Sequence, residues 1–381
     1  MPNSISRKRF LKLGSTLVAS VAGLPAALGL SSLAAAPSAT GFPSILIPKN
    51  KEKLGVALVA LGRYSTNRLG PGLQQTGHCE LRGIVTGTPS KIPVWQERYN
   101  IPDRNVYNYE TMYRIADNDD IDIVYIVLPP GMHAEYSIIG AEAGKHVWCE
   151  KPMAMTVGEC QSIIDAARKN RVQLTIGYRM QHEPNTQTII RYGREKTYGT
   201  VENVRSGAGF VGRYEPGDWR VTADLGGGAL YDMGVYPINA ARHAVGEEPV
   251  AVSGRQTSER SEMFHEVDES TYFELEFPGG ARAVCETSFG NSTNYLDITG
   301  TDGWYRLRPF QAYSGVRGET SDGTALPADP DHQQARQMDN DALAIKKNKA
   351  PIVPGEDGLA DIRILEAIME SARNDGTRIT L

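Results

Sequence analysis

The sequence predicts an α/β protein in two parts: an N-terminal domain on a parallel sheet, then a C-terminal α+β domain on a large, open, mainly antiparallel sheet. Two observations predict it. Five short, continuous apolar runs, the pattern of strands buried on both faces, alternate with helix-spaced segments up to about residue 175. Beyond that point strand-like segments follow one another directly, several with apolar–polar alternation.

The five runs are "LGVALVALG" from residue 54, "LRGIVTG" from 81, "IDIVYIVLP" from 121, "HVWCEKP" from 146 and "VQLTIGY" from 172. "HAEYSIIGAEAG" and "VGECQSIIDAARKN" carry helical spacing between them. Strands alternating with helices imply βαβ units. The second part offers "VENVRSGAGF", "STYFELEF", "ARAVCETSF", "NYLDITG" and "WYRLRPF" as strands, with Pro278-Gly279-Gly280 as a hairpin link. Two helices are expected near 335–347 and 357–374.

The chain has 381 residues and a formal net charge of −5, with 40% hydrophobic residues. That balance supports sizeable cores and gives no electrostatic case for nucleic acid or an anionic membrane surface. Four scattered cysteines without a CxxC read as packed thiols, not a disulfide framework, and no metal site is expected. Residues 1–39 have a basic start, a weakly apolar middle and a small-residue end, the layout of an export signal. Ser6-Arg7-Lys8-Arg9-Phe10-Leu11-Lys12 resembles a twin-arginine signal with Lys8 at the second arginine position. Pro25 and the alanines before Pro37 favour cleavage, near Ala36 or Ala39, over a stable membrane anchor, and place the mature protein in the periplasm. The domains are then 40–175 and 176–381.

Ala60-x-Gly62-x-x-Ser65 ends the first run and is a modified GxGxxG. It reads either as an ordinary strand-to-helix turn or as the Rossmann phosphate loop, and its place at the start of a βαβ unit favours the loop. The second run ends Val85-Thr86-Gly87-Thr88 with Lys91 nearby and no carboxylate to repel a 2′-phosphate, which favours NADP. Pro129 and Pro130 fix a tight turn after the third run. His133 either caps the next helix or lines the cofactor cleft.

Glu150-Lys151-Pro152 leaves the fourth run at its carboxyl end, where ligands bind in open α/β sheets. Lys151 is either a chemical group or half of a surface ion pair. Asp232, Tyr236, Asn239 and His243 stand at i, i+4, i+7 and i+11, on one face of a helix, behind the triplet Gly226–Gly228. Oxidation of a carbinol removes a proton from oxygen and a hydride from carbon. Tyrosine, with an ordinary pKa of about 10, needs a neighbouring cation to accept that proton near neutrality. Lys151 supplies one if the domains bring it close, and Asp232 orients Lys151 or a sugar hydroxyl.

With the modified glycine loop, "AGKHVWCEKPMA", "IGYRMQHEPN", "DWRV" and "GGGALYDMGVYPIN", the sequence resembles the glucose–fructose oxidoreductase family (the Gfo/Idh/MocA type) over nearly the whole mature chain. The resemblance implies a Rossmann domain followed by an open-sheet α/β domain that forms homo-oligomers through its sheet. It implies Lys151, Asp232 and Tyr236 as the catalytic group, and these with Tyr178 as substrate-binding residues. Gly62, Arg63, Tyr64, Thr86, Gly87, Lys91, Pro129, His133, Glu150, Lys151, Arg179, Trp219 and Arg220 are the implied cofactor contacts. Within the family the sequence is most similar to exported aldose–aldose oxidoreductases, which hold NADP(H) tightly, oxidise one aldose to its lactone and reduce another to an alditol. A conventional NADP-dependent aldose 1-dehydrogenase and a non-catalytic sugar- or cofactor-binding regulator are the alternatives.

Overall fold

The computed structural model describes residues 45–46 and 51–381, so the segment read as an export signal lies outside the described residues. The first sheet contains β1 (Leu54–Val59), β2 (Cys79–Val85), β3 (Val106–Tyr107), β4 (Ile123–Ile126), β5 (His146–Cys149) and β6 (Leu174–Ile176), in the order β3-β2-β1-β4-β5-β6 and all parallel. Every residue of β1, β4, β5 and β6 is buried, the physical reason their apolar runs are unbroken. All five predicted runs are strands. The two-residue β3 escaped prediction because it is too short to show a period.

Helices cover both faces. On the β1-side face lie α1 (Gly70–Leu73), which continues a π-helical turn over Ser65–Leu69, and α2 (Ile92–Tyr99). The other face takes α3 (His133–Glu142) and α4 (Val157–Lys169), the latter opened by Thr156, whose side chain accepts from the Glu159 N–H. After β6 come α5 (Pro184–Glu195), which has no counterpart in the sequence reading, and α6 (Val235–Val245).

The second sheet has nine strands, ordered β14-β13-β12-β11-β7-β10-β9-β8-β15. They are β7 (Val201–Gly209), β8 (Ala251–Thr257), β9 (Ser270–Glu276), β10 (Arg282–Ser288), β11 (Thr293–Gly300), β12 (Gly303–Leu307), β13 (Gly318–Thr320), β14 (Ala325–Leu326) and β15 (Ile379–Thr380). Only β7 and β10 pair in parallel, so the sheet is mixed but mainly antiparallel, as expected. The hairpin at 278–280 joins β9 to β10, with Gly280 at φ +87°. β8 escaped prediction because its polar residues and Gly254 mask the pattern. It is held by a seven-residue register with β9 and by Ile368, which would clash with a side chain at Gly254. One face of this sheet packs under α5, α6 and α8 (Gly355–Arg373). Its other face presents Tyr272, Val284 and Trp304 among charged residues.

One helix departs from the expected division at 175. α7 (Gln333–Lys346), read as part of the second domain, packs on the first sheet. Met338, Ala342 and Ile345 share a core with Leu54, Leu58, Tyr125 and Trp148. The first domain is thus completed by a segment from near the end of the chain, which local periodicity does not reveal. The four cysteines are all buried and free.

Candidate active site

The carboxyl edge of the parallel sheet carries the sequence-predicted cofactor residues. Ala60 takes φ +79°, the left-handed conformation that glycine ordinarily supplies, so the first position of the modified motif keeps a glycine-like backbone despite its side chain. Ser65, fully buried at the third position, donates its hydroxyl to the Ala60 carbonyl at 2.7 Å and closes the loop. A Cβ on Gly62 would meet no protein atom, so the loop backbone faces open space. Arg63 is exposed beside it, and Tyr64 turns toward α7, where its hydroxyl accepts from Gln334 at 3.5 Å.

At the end of β2 the Thr86 hydroxyl accepts from the Thr88 N–H at 3.1 Å, and Lys91 donates to the Leu61 carbonyl at 2.8 Å, which sets a cation beside the glycine loop. Tyr109, absent from the sequence reading, closes this corner: a Cβ on Gly87 would lie 2.8 Å from its ring. A glycine-like loop with open space before it, flanked by hydroxyls and a cation, fits a phosphorylated dinucleotide. Pro129 leads into the turn Pro130–Met132, which abuts the other domain: a Cβ on Gly131 would meet the Asp224 carbonyl at 2.5 Å. The triplet Gly226–Gly228 answers from the opposite side, with Gly226 (φ +79°) against Pro130 and Met155.

Lys151 stands at the exit of β5. Its Nζ donates to the Asp232 carbonyl oxygen at 2.6 Å and to Asp232 Oδ1 at 3.1 Å, and lies 4.7 Å from the centroid of the Tyr236 ring. Asp232 Oδ2 accepts from Arg220 Nε at 2.9 Å, so one carboxylate is clamped between two cations. Burial would raise the Asp232 carboxyl, but the charges of Lys151 and Arg220 outweigh it and hold it below the usual carboxylate range. Burial would likewise deprotonate Lys151, but Tyr236 and Asp232 keep it a firmly protonated ammonium.

The expected single helix face is built differently. Asp232 sits in a π-helical turn, Leu230–Gly234, and Tyr236 in the first turn of α6. Asp268, unseen in the sequence, fixes that turn by accepting from the Leu230 N–H at 2.9 Å and the Thr271 hydroxyl at 2.7 Å. Asn239 and His243 point away from Lys151. Asn239 bonds Gln181, Asp357 and Asp361, His243 pairs with Asp357, and Arg242 adds 2.6 Å to Asp361, which ties α6 to α8.

Five of the expected contact residues are engaged with protein partners. Tyr178, expected at the substrate, packs edge-on to Tyr236 at 6.3 Å, but it is buried and its hydroxyl donates to Asp361. Arg179, expected at the cofactor, spends its guanidinium on the carbonyls of Gln311 and Ala312 and on Gln333. Glu150 is buried at the exit of β5. Its Oε1 accepts from Tyr125 at 2.6 Å, and burial pushes its carboxyl up to about 7 against the pull of that bond and of Lys151 and Arg179. Both ring nitrogens of His133 lie 2.7 Å from carbonyl oxygens, of Pro152 and Leu128, so the ring braces two strand exits and presents no nitrogen to a cofactor. Arg220, expected at the cofactor, stacks on Trp219 at 4.4 Å and commits its Nε to Asp232. In each case the residue type was legible and its partner was not. A separate groove lined by Lys51, Glu80, Arg82, Arg104 and Asp120 lies at the opposite, amino edge of the sheet, with Arg82–Glu80 and Arg104–Asp120 paired.

A parallel-sheet dinucleotide fold with a Lys–Asp–Tyr centre at its carboxyl edge defines an NAD(P)-dependent oxidoreductase. The comparisons narrow this. Residues 54–178 match the oxidoreductase family with an NAD-binding Rossmann fold, and residues 186–306 match the GFO/IDH/MocA C-terminal domain; the chain belongs to this family. It is similar to the crystal structure of aldose-aldose oxidoreductase from Caulobacter crescentus complexed with glycerol, at 38% identity and a TM-score of 0.82 over 86% of this chain and 100% of that one. It is 30% identical to D-xylose 1-dehydrogenase (NADP(+)) 2 of Haloferax volcanii over 79% of this chain and 92% of the relative. It is 28% identical to D-xylose 1-dehydrogenase [NADP(+)] of Haloarcula marismortui over 84% and 91%.

Proposed function

We propose that the chain is an exported aldose–aldose oxidoreductase with one retained NADP(H): it oxidises an aldose at C1 to the aldonolactone and reduces a second aldose to the alditol. The observation that carries the reading is the clamped Lys151 ammonium, held by Asp232 within 4.7 Å of the Tyr236 ring. A bound NADP(H), held at the Ala60–Ser65 loop and the end of β2, would supply reversible hydride transfer. Tyr236 accepts the C1 hydroxyl proton in the first half-reaction and donates one to the aldehyde oxygen in the second, as microscopic reversibility requires. Lys151 stabilises the phenolate that takes the proton in the first half-reaction and is regenerated by the second. Asp232 keeps Lys151 charged and in place, and Arg220 does the same for Asp232. Lactone and alditol together balance two sugars with no external oxidant.

The layout of residues 1–39 and the similarity to the Caulobacter enzyme support this reading, with the periplasm as the site of action. The two archaeal relatives favour the second reading, an NADP-dependent aldose 1-dehydrogenase with exchanging cofactor. Incubation of the purified protein with glucose alone distinguishes them. Equal amounts of gluconic product and glucitol, formed by ping-pong kinetics without added cofactor, are expected. Lactone without alditol, or turnover only with substrate amounts of NADP, would establish the dehydrogenase. The half-open face of the nine-stranded sheet, with Tyr272, Val284 and Trp304, is proposed as the homo-oligomer contact, to be checked by sedimentation of a Val284→Glu variant.

The preference for the 2′-phosphorylated cofactor rests on Thr86, Thr88 and Lys91 at the end of β2. Thr86→Asp places a carboxylate where that phosphate would lie. The ratio of NADP to NAD affinity is expected to fall by at least about tenfold, read by fluorescence titration with each cofactor. An unchanged ratio would remove this strand end from cofactor selection.

A further inference from the structure

The loop 308–317, between β12 and β13, leaves the second sheet and sets Tyr313 against the segment that follows the glycine loop. Its ring centroid lies 5.9 Å from that of Tyr64 and 4.4 Å from the Arg68 guanidinium carbon, both in the segment that follows the glycine loop. It also lies 4.6 Å from the guanidinium carbon of Arg179 at the end of β6. Both guanidinium groups are within cation–π distance of the one ring and tie it to two separate segments. Arg179 secures the loop from below through the carbonyls of Gln311 (3.3 Å) and Ala312 (3.1 Å), and Asn294 Oδ1 accepts from the Phe310 and Gln311 N–H groups at 2.9 and 3.1 Å.

This is not core packing, because Tyr313 is 42% exposed. Through Arg179, whose guanidinium carbon also lies 5.6 Å from the Tyr236 ring centroid, the ring links the glycine-loop segment to the Lys151–Asp232–Tyr236 cluster.

We infer that Tyr313 is a cofactor-retaining residue: the loop 308–317 straps the dinucleotide cleft, and the Arg68–Tyr313–Arg179 stack fastens the strap. The inference rests on the reading of this cleft as the NADP(H) site. Release of the cofactor requires the ring to leave both guanidinium groups, so the stack slows dissociation without touching the reacting atoms.

The test is the dissociation rate of bound NADPH from the full protein, followed by its fluorescence during a chase with excess NADP. Tyr313→Ala is expected to speed release by at least about tenfold, the size of two lost cation–π contacts. Tyr313→Phe, which keeps the ring, should release at close to the wild-type rate. Arg68→Ala, at an exposed position that leaves the Arg179 contacts intact, should also speed release, and decides the matter alone if Tyr313→Ala does not fold. A wild-type rate in Tyr313→Ala or Arg68→Ala, or equal acceleration by Tyr313→Phe, would overturn the inference. Rapid release by the wild-type protein would instead sink the retained-cofactor reading, while still faster release from Tyr313→Ala would uphold the strap.

Discussion

Tyr236→Phe is expected to lower kcat by about a thousandfold, within the range for loss of a positioned general acid–base group. The substitution removes only the phenol oxygen. The ring keeps its edge contact with Tyr178 at 6.3 Å and its place beside Lys151 at 4.7 Å and Arg179 at 5.6 Å. The fold and bound cofactor should therefore survive, and thermal unfolding should stay within about 1 kcal/mol of the wild type. The loss should appear in kcat for both lactone formation and alditol formation, because one oxygen serves both proton transfers. Single-turnover measurement of each half-reaction checks it. Near wild-type rates would exclude Tyr236 from the chemistry, and loss in one direction alone would refute the shared proton carrier.

Asp232→Asn is expected to cost about 3 kcal/mol of stability at neutral pH and to lower kcat by about a hundredfold. Asp232 is 7% exposed and lies between two cations, so its neutralisation leaves Lys151 and Arg220 facing each other without a counter-charge. Arg220 is about a third exposed, with its side chain 31% accessible, so water screens part of the repulsion and the cost falls at the low end for a broken buried pair. The pH dependence has a definite sign. The carboxyl is held below its ordinary value in the folded state, so its contribution is present at neutral pH and is lost as pH falls below the usual carboxylate range. The variant should lack that acid limb. Denaturant unfolding of both proteins between neutral and acid pH measures it. Equal stability across that range would show that the clamp contributes nothing, and Asp232→Asn/Arg220→Met should recover part of the loss, since one of the facing charges is gone.

The chemistry-bearing residues were legible where chemistry depends on a local position. Lys151 follows an apolar run, and a charge leaving a buried parallel strand stands at its carboxyl edge whatever surrounds it. Asp232 and Tyr236 are four residues apart behind three glycines, and that spacing survived the π-helical turn between them. The five residues already engaged with protein partners share one property. Tyr178, Arg179, Glu150, His133 and Arg220 all carry groups able to bind a cofactor or a sugar. What each binds is set mainly by residues well separated along the chain, such as Asp361 for Tyr178, Gln311 for Arg179 and Pro152 for His133. Tyr313 gave no signal at all, because an aromatic residue in an irregular loop has no period to betray its direction.

By itself the sequence determined the two-part architecture, the edge of the sheet expected to bind ligands, and the residue types of the candidate centre. These follow from periodicity and strand ends, which are set within a few residues. Only the tertiary structure decided that Lys151 and Asp232, 81 residues apart, meet at 3.1 Å, that Arg220 completes the clamp, and that α7 returns to the first sheet. The physical reason is burial. A charged side chain withdrawn from water must find its partner within hydrogen-bond reach, and which partner stands there is fixed by how the two sheets and their helices pack, not by neighbours along the chain.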